Sequence, residues 1–391
     1  MRNPFIHRFH ASASELIDRN DELALLVRRM AEGGRVRLAA PRGYGKTTLA
    51  EAALARARGE GALAVRVDLY GVTSRMTLCS RIEEAFEREL SGASGTWTKA
   101  KAKLARRGGG MQLPAGLGGA QLGPEDAEHR LLDALDLPGQ LAAAAGPVIV
   151  CYDEFQAVLR AGGAERDRRG RPRPGGLDAV IRSVTQRHGE TVAYLFCGSQ
   201  PTLLGELFEH PESPFYRQAD PMALGPLPRP ALGSYIEVRF AESDRDVGEA
   251  LEPLLDLARG HPRAAMILAH ALWEELPASK TADLATWQRT LARMPDYVTE
   301  DEMHARWDAL TPTQQKVAEV VARHEGSPFS VAILTGYGET KDAVQGAVET
   351  LEREAILLRE HGRPFHGALV DPLFELWIAQ GRHWPHQSRE A

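Results

Sequence analysis

Apolar residues at Leu23, Leu26, Val27 and Met30 fall on one helical face, and Gly33-Gly34 ends that stretch. The period then changes. "RVRLAA" is a short apolar strand, a glycine-bearing loop follows, and a helix runs from Thr47 to about Arg58. "ALAVRVDL" (62–69) predicts a second strand and Leu78 to Leu90 a second helix. Glu125 to Ala145 is expected to be helical but broken at Pro138, because proline lacks the N–H that a helix interior uses. "PVIVCYDEF" (147–155) reads as a buried strand ending in two acids. Leu177 to Arg187 is a further helix, "TVAYLFCGS" a strand, and "DPMALGPLP" (220–228) the last strand leaving the sheet. This alternation predicts an α/β fold: a parallel sheet with helices on both faces, an αβα core.

From Pro230 the pattern turns helical, with segments near 230–237, 247–259, 262–276 and 281–294. A third unit begins at "LTPTQQKVAEVVARHEG", with Thr311 as N-cap and Pro312 at the first helical position. A short helix near 330–335, a longer one from Thr340 to Glu354, a hairpin in "AILLREHGRPFHGALV" and a closing helix in "DPLFELWIAQ" complete it. Three helices and a hairpin are the layout of a winged helix-turn-helix. The predicted organisation is an αβα core over 1–228, an α-helical unit over 229–298 and a winged helix-turn-helix domain over 299–391.

Two stretches stand outside this pattern. Residues 96–120 carry Lys99, Lys101, Lys103, Arg106 and Arg107 among glycines and read as an insertion. Residues 160–176 hold six arginines and two acids and are expected to form a loop that does not pack. Either could touch a polyanion, although a solvated, charge-rich insertion is the simpler reading.

Composition narrows the class. At 391 residues the chain exceeds one ordinary core, and its 43% hydrophobic and 26% charged content is that of a globular protein. A net charge of −6 exerts no overall pull on nucleic acid or anionic membrane. Cys79, Cys151 and Cys197 fit neither a metal spacing nor a disulfide framework, which suits a reducing cytosol. "MRNPFIHRFH" lacks the apolar core of a signal peptide, and no apolar run approaches a membrane span of ~20 residues. The expectation is a cytoplasmic protein with no membrane partner.

The chemistry lies in "LAAPRGYGKTTLA" (38–50). It follows G-x-x-x-x-G-K-[ST] except that Ala40 stands at the first glycine. A strand before and a helix after are what such a loop needs, since backbone N–H groups there surround phosphate oxygens. Gly43 and Gly45 allow close approach, Lys46 would reach the β- and γ-phosphates, and the Thr47 hydroxyl would ligate Mg²⁺. Pro41, Arg42, Tyr44 and Thr48 complete the nucleotide-binding set. The competing reading is a glycine turn that happens to precede Lys-Thr.

About 105 residues on, "VIVCYDE" delivers Asp153 and Glu154 to the carboxyl end of a buried strand, the edge where such sheets bind ligands. Asp153 would hold Mg²⁺, and Glu154 would orient or deprotonate the attacking water. Their alternative role is to cap the next helix. Ser199 follows another apolar strand and could touch the γ-phosphate or the water, or cap a helix at 202–208. Arg217 in "SPFYRQ" could meet a γ-phosphate from its own or a neighbouring subunit, or be a solvated loop residue. In "RGHPRAA", Gly260 closes one helix and Pro262 opens the next, aiming His261 or Arg263 outward.

"LIDRNDEL", "APRGYGKTTL", "VIVCYDEFQ", "LFCGSQ…SPFYR", "GHPRAA" and "VDPLFELW" occur in the order seen in prokaryotic ATPases of the archaeal-ATPase type, and the chain resembles that family over nearly its whole length. The family belongs to the signal-transduction (STAND) branch of AAA+-like P-loop NTPases. The resemblance implies an AAA+-like core, a helical lid and a C-terminal winged helix, with ATP and Mg²⁺ as ligands. It implies that Asp18 and Arg19 lie near the adenine, that Ser199 is sensor 1, and that Arg217 is an arginine finger or sensor. It also implies that the sensor 2 position falls at Gly260–Arg263, with His261 and Arg263 flanking the lid Pro262. Ala40 and this His/Arg ambiguity are the departures.

A winged helix invites a DNA-binding reading, which the charges oppose. From Ala305 to Ala391 there are nine Lys/Arg and twelve Asp/Glu, net −3. The expected recognition helix sets Lys341 and Arg353 against Asp342, Glu349, Glu352 and Glu354, and only the hairpin tip (Arg359, His361, Arg363, His366) is mildly basic. Packing on the core or binding a protein partner is the preferred role. The function expected is a slow, Mg-dependent ATP-hydrolysing switch in signalling or regulation, binding ATP and ADP and able to form a homo-oligomer if Arg217 serves a neighbour. The alternatives are a DNA-binding, initiator-like regulator and a nucleotide-stabilised scaffold.

Overall fold

The computed structural model describes residues 2–5, 16–92, 95–99, 124–161, 176–324, 327–359 and 367–382. The greater part of the basic stretches expected at 96–120 and 160–176, the hairpin tip at 361–366 and most of "MRNPFIHRFH" lie outside the described residues. The chain divides into two compact units: residues 19–40 with 46–224, and residues 1–18 with 41–45 and 225–391.

The first unit is built on a five-stranded parallel sheet in the order β2-β3-β4-β1-β5. Its strands are β1 (Arg35–Ala39), β2 (Leu63–Asp68), β3 (Val148–Asp153), β4 (Val192–Gly198) and β5 (Asp220–Ala223). β3 and β4 are buried at every position, as near-continuous apolar runs in the middle of a parallel sheet must be. Val65, Val67, Val150, Tyr152, Tyr194 and Phe196 share one core with α3 (Arg75–Gly92), α4 (Pro124–Ala145), α5 (Leu177–Arg187) and α6 (Pro201–Glu209). The alternate strand positions, among them Arg66, Cys151 and Asp153, point to the opposite face. There α1 (Asn20–Ala31) and α2 (Lys46–Gly59) pack on each other and on the strands.

The helix α4 runs unbroken through Pro138, where a break was expected. Leu131 and Leu135 before the proline and Leu141 after it enter the same core, so burial holds the axis through one missing hydrogen bond. The neighbouring Asp136 meets His188 Nε2 at 3.2 Å, while His188 Nδ1 lies 2.6 Å from the Tyr194 hydroxyl. Burial, more than the opposing pull of Asp136, sets the His188 pKa below its ordinary value.

The second unit is helical: α7 (Arg229–Ala241), α8 (Leu251–Ala258), α9 (Pro262–Glu275), α10 (Leu284–Ala292), α11 (Glu300–Asp308), α12 (Pro312–Ala322), α13 (Val331–Tyr337), α14 (Lys341–Arg353) and α15 (Pro372–Ala379). An antiparallel pair, β6 (Leu357–Arg359) with β7 (Gly367–Leu369), precedes α15. Side-chain caps start most of these helices. Asp283, Thr299, Ser330, Thr340 and Asp371 each accept a hydrogen bond from a first-turn N–H, and Thr311 with Gln314 forms a reciprocal capping box. Each such cap contributes about 1 kcal/mol. The helix α11 was not anticipated, because only Met303 and Trp307 on it are buried and apolar. One hydrophobic cluster runs from Leu227 through Phe240, Leu268, Trp307 and Val348 to Trp377, across the boundary expected at residue 298.

Candidate active site

β3 ends on the buried Asp153, and the next residue leaves the strand abruptly. Glu154 takes a left-handed backbone (φ 54°, ψ 43°), a conformation that costs a non-glycine residue about 1–2 kcal/mol. Phe155 offsets that strain. Its ring is fully buried, 4.6 Å from Phe196 and 5.3 Å from Phe215 between centroids, and anchors the following 3-10 turn, Phe155–Ala157. The turn leaves the Glu154 carboxylate half-buried at the carboxyl edge of the sheet.

One oxygen of that carboxylate is held from two sides. Glu154 Oε2 accepts from Ser199 Oγ at 2.6 Å, from the Ser199 N–H at 3.4 Å and from Gln156 Nε2. Ser199 follows β4, so adjacent strand ends bring the pair together. The helix-cap alternatives are not realised. The residue at the start of α6 is Gln200 without a side-chain cap, and Glu154 makes no cap bond to the turn it precedes.

Asp153 serves a different set. Its Oδ1 accepts from the Glu154 N–H at 3.1 Å. Its Oδ2 lies 3.4 Å from Thr47 Oγ1 and also takes a fork from Arg66, Nη2 at 2.9 Å and Nε at 3.1 Å. Thr47 stands in the first turn of α2 beside Lys46, which is buried, and Thr48, which is half-buried. A hydroxyl and a carboxylate in contact are the hard oxygen donors that Mg²⁺ takes, with phosphates and waters filling its other positions. The residues fit that ion. Among the described residues no group of three or more His, Cys, Asp or Glu forms a separate metal cluster.

In the second unit the loop 41–45 is bound through its carbonyl groups. Gly43 and Gly45 have φ of 87° and 86°, where side chains are strained. A Cβ on Gly43 would lie 2.5 Å from His261 Cε1. His261 is the N-cap of α9: its Nδ1 accepts from the Ala264 N–H at 3.0 Å. The proton therefore sits on Nε2, which donates to the Arg42 carbonyl at 3.1 Å. The Arg263 N–H donates to the Gly43 carbonyl at 3.2 Å, and Pro262 begins the helix. Tyr44 is buried and meets the His261 ring edge-on at 5.0 Å. Burial pushes the Tyr44 pKa up and the His261 pKa down. Burial also works against ionisation of Asp371, yet Arg306 at 2.8 Å, the nearby His261 and the α15 N–H groups hold its pKa at about 2.

Both His261 ring nitrogens are thus committed to the backbone. Arg263 differs: its side chain is 39% exposed and its ion pair to Glu302 is long at 3.8 Å. Asp18 is exposed with a left-handed backbone (φ 46°), while Arg19 is buried and pairs with Glu22 at 2.8 Å. Arg217 is exposed, also left-handed, with its guanidinium 5.1 Å over the Tyr216 ring. It makes no hydrogen bond to Glu154, Ser199 or Asp153 among the described residues.

The structure therefore brings Thr47, Asp153, Glu154 and Ser199 together and adds two residues not foreseen. Arg66 could have been noticed as the one basic residue in the run "ALAVRVDL". Gln156 carried no signal, because its role depends on the left-handed turn at Glu154.

Comparison with solved structures places this fold. A Walker-type ATPase of Pyrococcus abyssi superposes with a TM-score of 0.66 at 17% identity, covering 96% of this chain and 99% of its own. The Aeropyrum pernix ORC2 protein, solved as ADPNP–ADP complexes, superposes with a TM-score of 0.57 at 15% identity, covering 97% of both chains. No protein-family model and no curated protein matches the sequence. The fold these two proteins share with this chain is a parallel αβα sheet followed by a helical region. Among the described residues no helix is long and apolar enough to cross a membrane.

Proposed function

We propose that the protein binds and hydrolyses ATP in the cytoplasm and acts as a molecular switch in signalling or regulation. The observation that carries this reading is the set at the sheet edge: Thr47 3.4 Å from Asp153, with Glu154 turned out beside it and held by Ser199. The loop N–H groups of residues 42–45 and the Lys46 ammonium bind the phosphates, with Pro41 shaping the loop and Asp18 and Arg19 on the adenine side. Thr47 and Asp153 would hold Mg²⁺, which would supply positive charge against the phosphates. Glu154 orients a water and takes its proton as the water oxygen bonds the γ-phosphorus, and the bond to the bridging oxygen breaks to release ADP and phosphate. Ser199 and Gln156 aim Glu154 through one oxygen. Arg217 serves as finger or sensor, and Arg263, whose side chain is partly exposed, is the better sensor 2 than His261.

Residues 229–298 would act as the lid and 299–391 as a winged helix-turn-helix that responds to the bound nucleotide, packing on the core or engaging a protein partner. The test is steady-state ATPase activity. Wild type should turn over, Lys46→Ala should lose binding and turnover, and Glu154→Gln should bind ATP but hydrolyse it at least about 100-fold more slowly. Wild-type turnover no faster than that of Glu154→Gln would refute the hydrolytic switch.

A second reading, duplex-DNA binding by an initiator-like regulator, draws on the succession of α12, α13, α14 and the β6–β7 hairpin. The excess of acids on α14 counts against it.

A further inference from the structure

Arg66 lies on the same face of the sheet as Asp153, one strand away, in the register Arg66–Cys151 and Asp68–Asp153. Its guanidinium forks onto Oδ2, the same oxygen that faces the Thr47 hydroxyl. The Asp153 side chain is 6% exposed and Arg66 23%. A carboxylate so buried is costly without a compensating cation beside it, and Arg66 supplies one. The guanidinium also has a second partner: Nη1 lies 3.5 Å from Glu51 Oε1, one turn along α2 from Thr47.

We infer that Arg66 is a built-in counter-cation that competes with the divalent ion for Asp153 and sets the affinity of the site for it. This rests on the proposed reading of Thr47 and Asp153 as metal ligands. A fixed positive charge on Oδ2 opposes a divalent cation directed to the same atom, and Glu51 is the seat on which the guanidinium stays paired when it yields that oxygen. Arg66 is a positioning residue, acting on the site only through Asp153. Its consequence is a weak site for the bare ion that fills when nucleotide phosphates add their negative charge.

The probe is Mn²⁺ alone, with binding to the nucleotide-free protein followed by the loss of the free-ion electron paramagnetic resonance signal. Arg66→Gln, which still donates a hydrogen bond to Asp153 but carries no charge, should bind Mn²⁺ at least about tenfold more tightly than wild type. Arg66→Met should do the same and carries the test if the glutamine variant does not fold. Arg66→Lys retains the charge and should stay within about threefold of wild type. Unchanged or weaker Mn²⁺ binding in the folded neutral variants would overturn the inference, as would a lysine variant that behaves like the neutral ones. In parallel, ADP is titrated calorimetrically with Mg²⁺ and with EDTA. Failure of wild type to bind ADP in either would overturn the nucleotide reading, and the Mn²⁺ comparison would still decide the role of Arg66.

Discussion

Ser199 donates to the carboxylate on which the proposed hydrolysis depends, and its hydroxyl makes the shorter of its two bonds to Glu154. A hydrogen bond to a charged group contributes about 1.5–3 kcal/mol, and about 1.4 kcal/mol is tenfold in rate. Ser199→Ala keeps the backbone N–H contact and the Gln156 contact, so the loss should be partial. We expect kcat to fall about tenfold with ADP affinity unchanged, measured by steady-state turnover and calorimetry. A parallel loss of ADP affinity would place Ser199 in binding rather than in aiming Glu154. At this scale residue type alone singled out Lys46, Thr47, Asp153 and Glu154 as candidates, because phosphate and metal chemistry admits few side chains. Gln156 was not, since an amide in "DEFQ" becomes significant only after Glu154 takes its left-handed turn.

The N-terminus of α9 is where one element depends on one proton. His261 Nδ1 accepts from Ala264 only while neutral, and burial holds its pKa below the ordinary 6.5. The sign follows from linkage: the unfolded chain takes up the proton first, so this stabilisation is complete above about pH 6.5 and is lost as the pH falls toward the depressed folded value. Thermal melts from pH 7.5 to about 5 should therefore show falling stability, by at most about 1.4 kcal/mol per pH unit for one group. His261→Asn keeps a capping acceptor and should flatten the slope without abolishing it, because His188 is depressed in the same direction. An unchanged slope in that variant would remove His261 from the titration. Element boundaries followed the caps closely at α12, where Thr311 and Pro312 were readable. They failed at α4, where core packing on both sides of Pro138 overrides a local helix breaker.

For the whole molecule the relevant quantity is charge. A net −6 for the chain and net −3 beyond Ala305 leave little to release counterions from a duplex. Fluorescence anisotropy with duplex DNA at about 50 mM salt should show no binding in the ATP or ADP state. Binding with a steep salt dependence would favour the initiator-like reading instead. The αβα organisation was legible because apolar runs of strand length alternate with helical periods, a pattern that admits few folds. The continuous core from Leu227 to Trp377 was not, because periodicity shows which face of a helix is buried but not what buries it.

The alternation of strands and helices in the sheet unit, the glycine loop with Ala40 at the first position of its pattern, and the pair Asp153-Glu154 where β3 ends were all read from the sequence, since each depends on residues adjacent along the chain. Tertiary structure alone decided that Arg66 occupies Asp153, that Ser199 meets Glu154 rather than capping a helix, and that His261 binds the Arg42 carbonyl while the Arg263 side chain stays partly exposed. These partners are 45 to 219 residues apart in sequence, and only strand register and helix packing bring them within hydrogen-bonding distance.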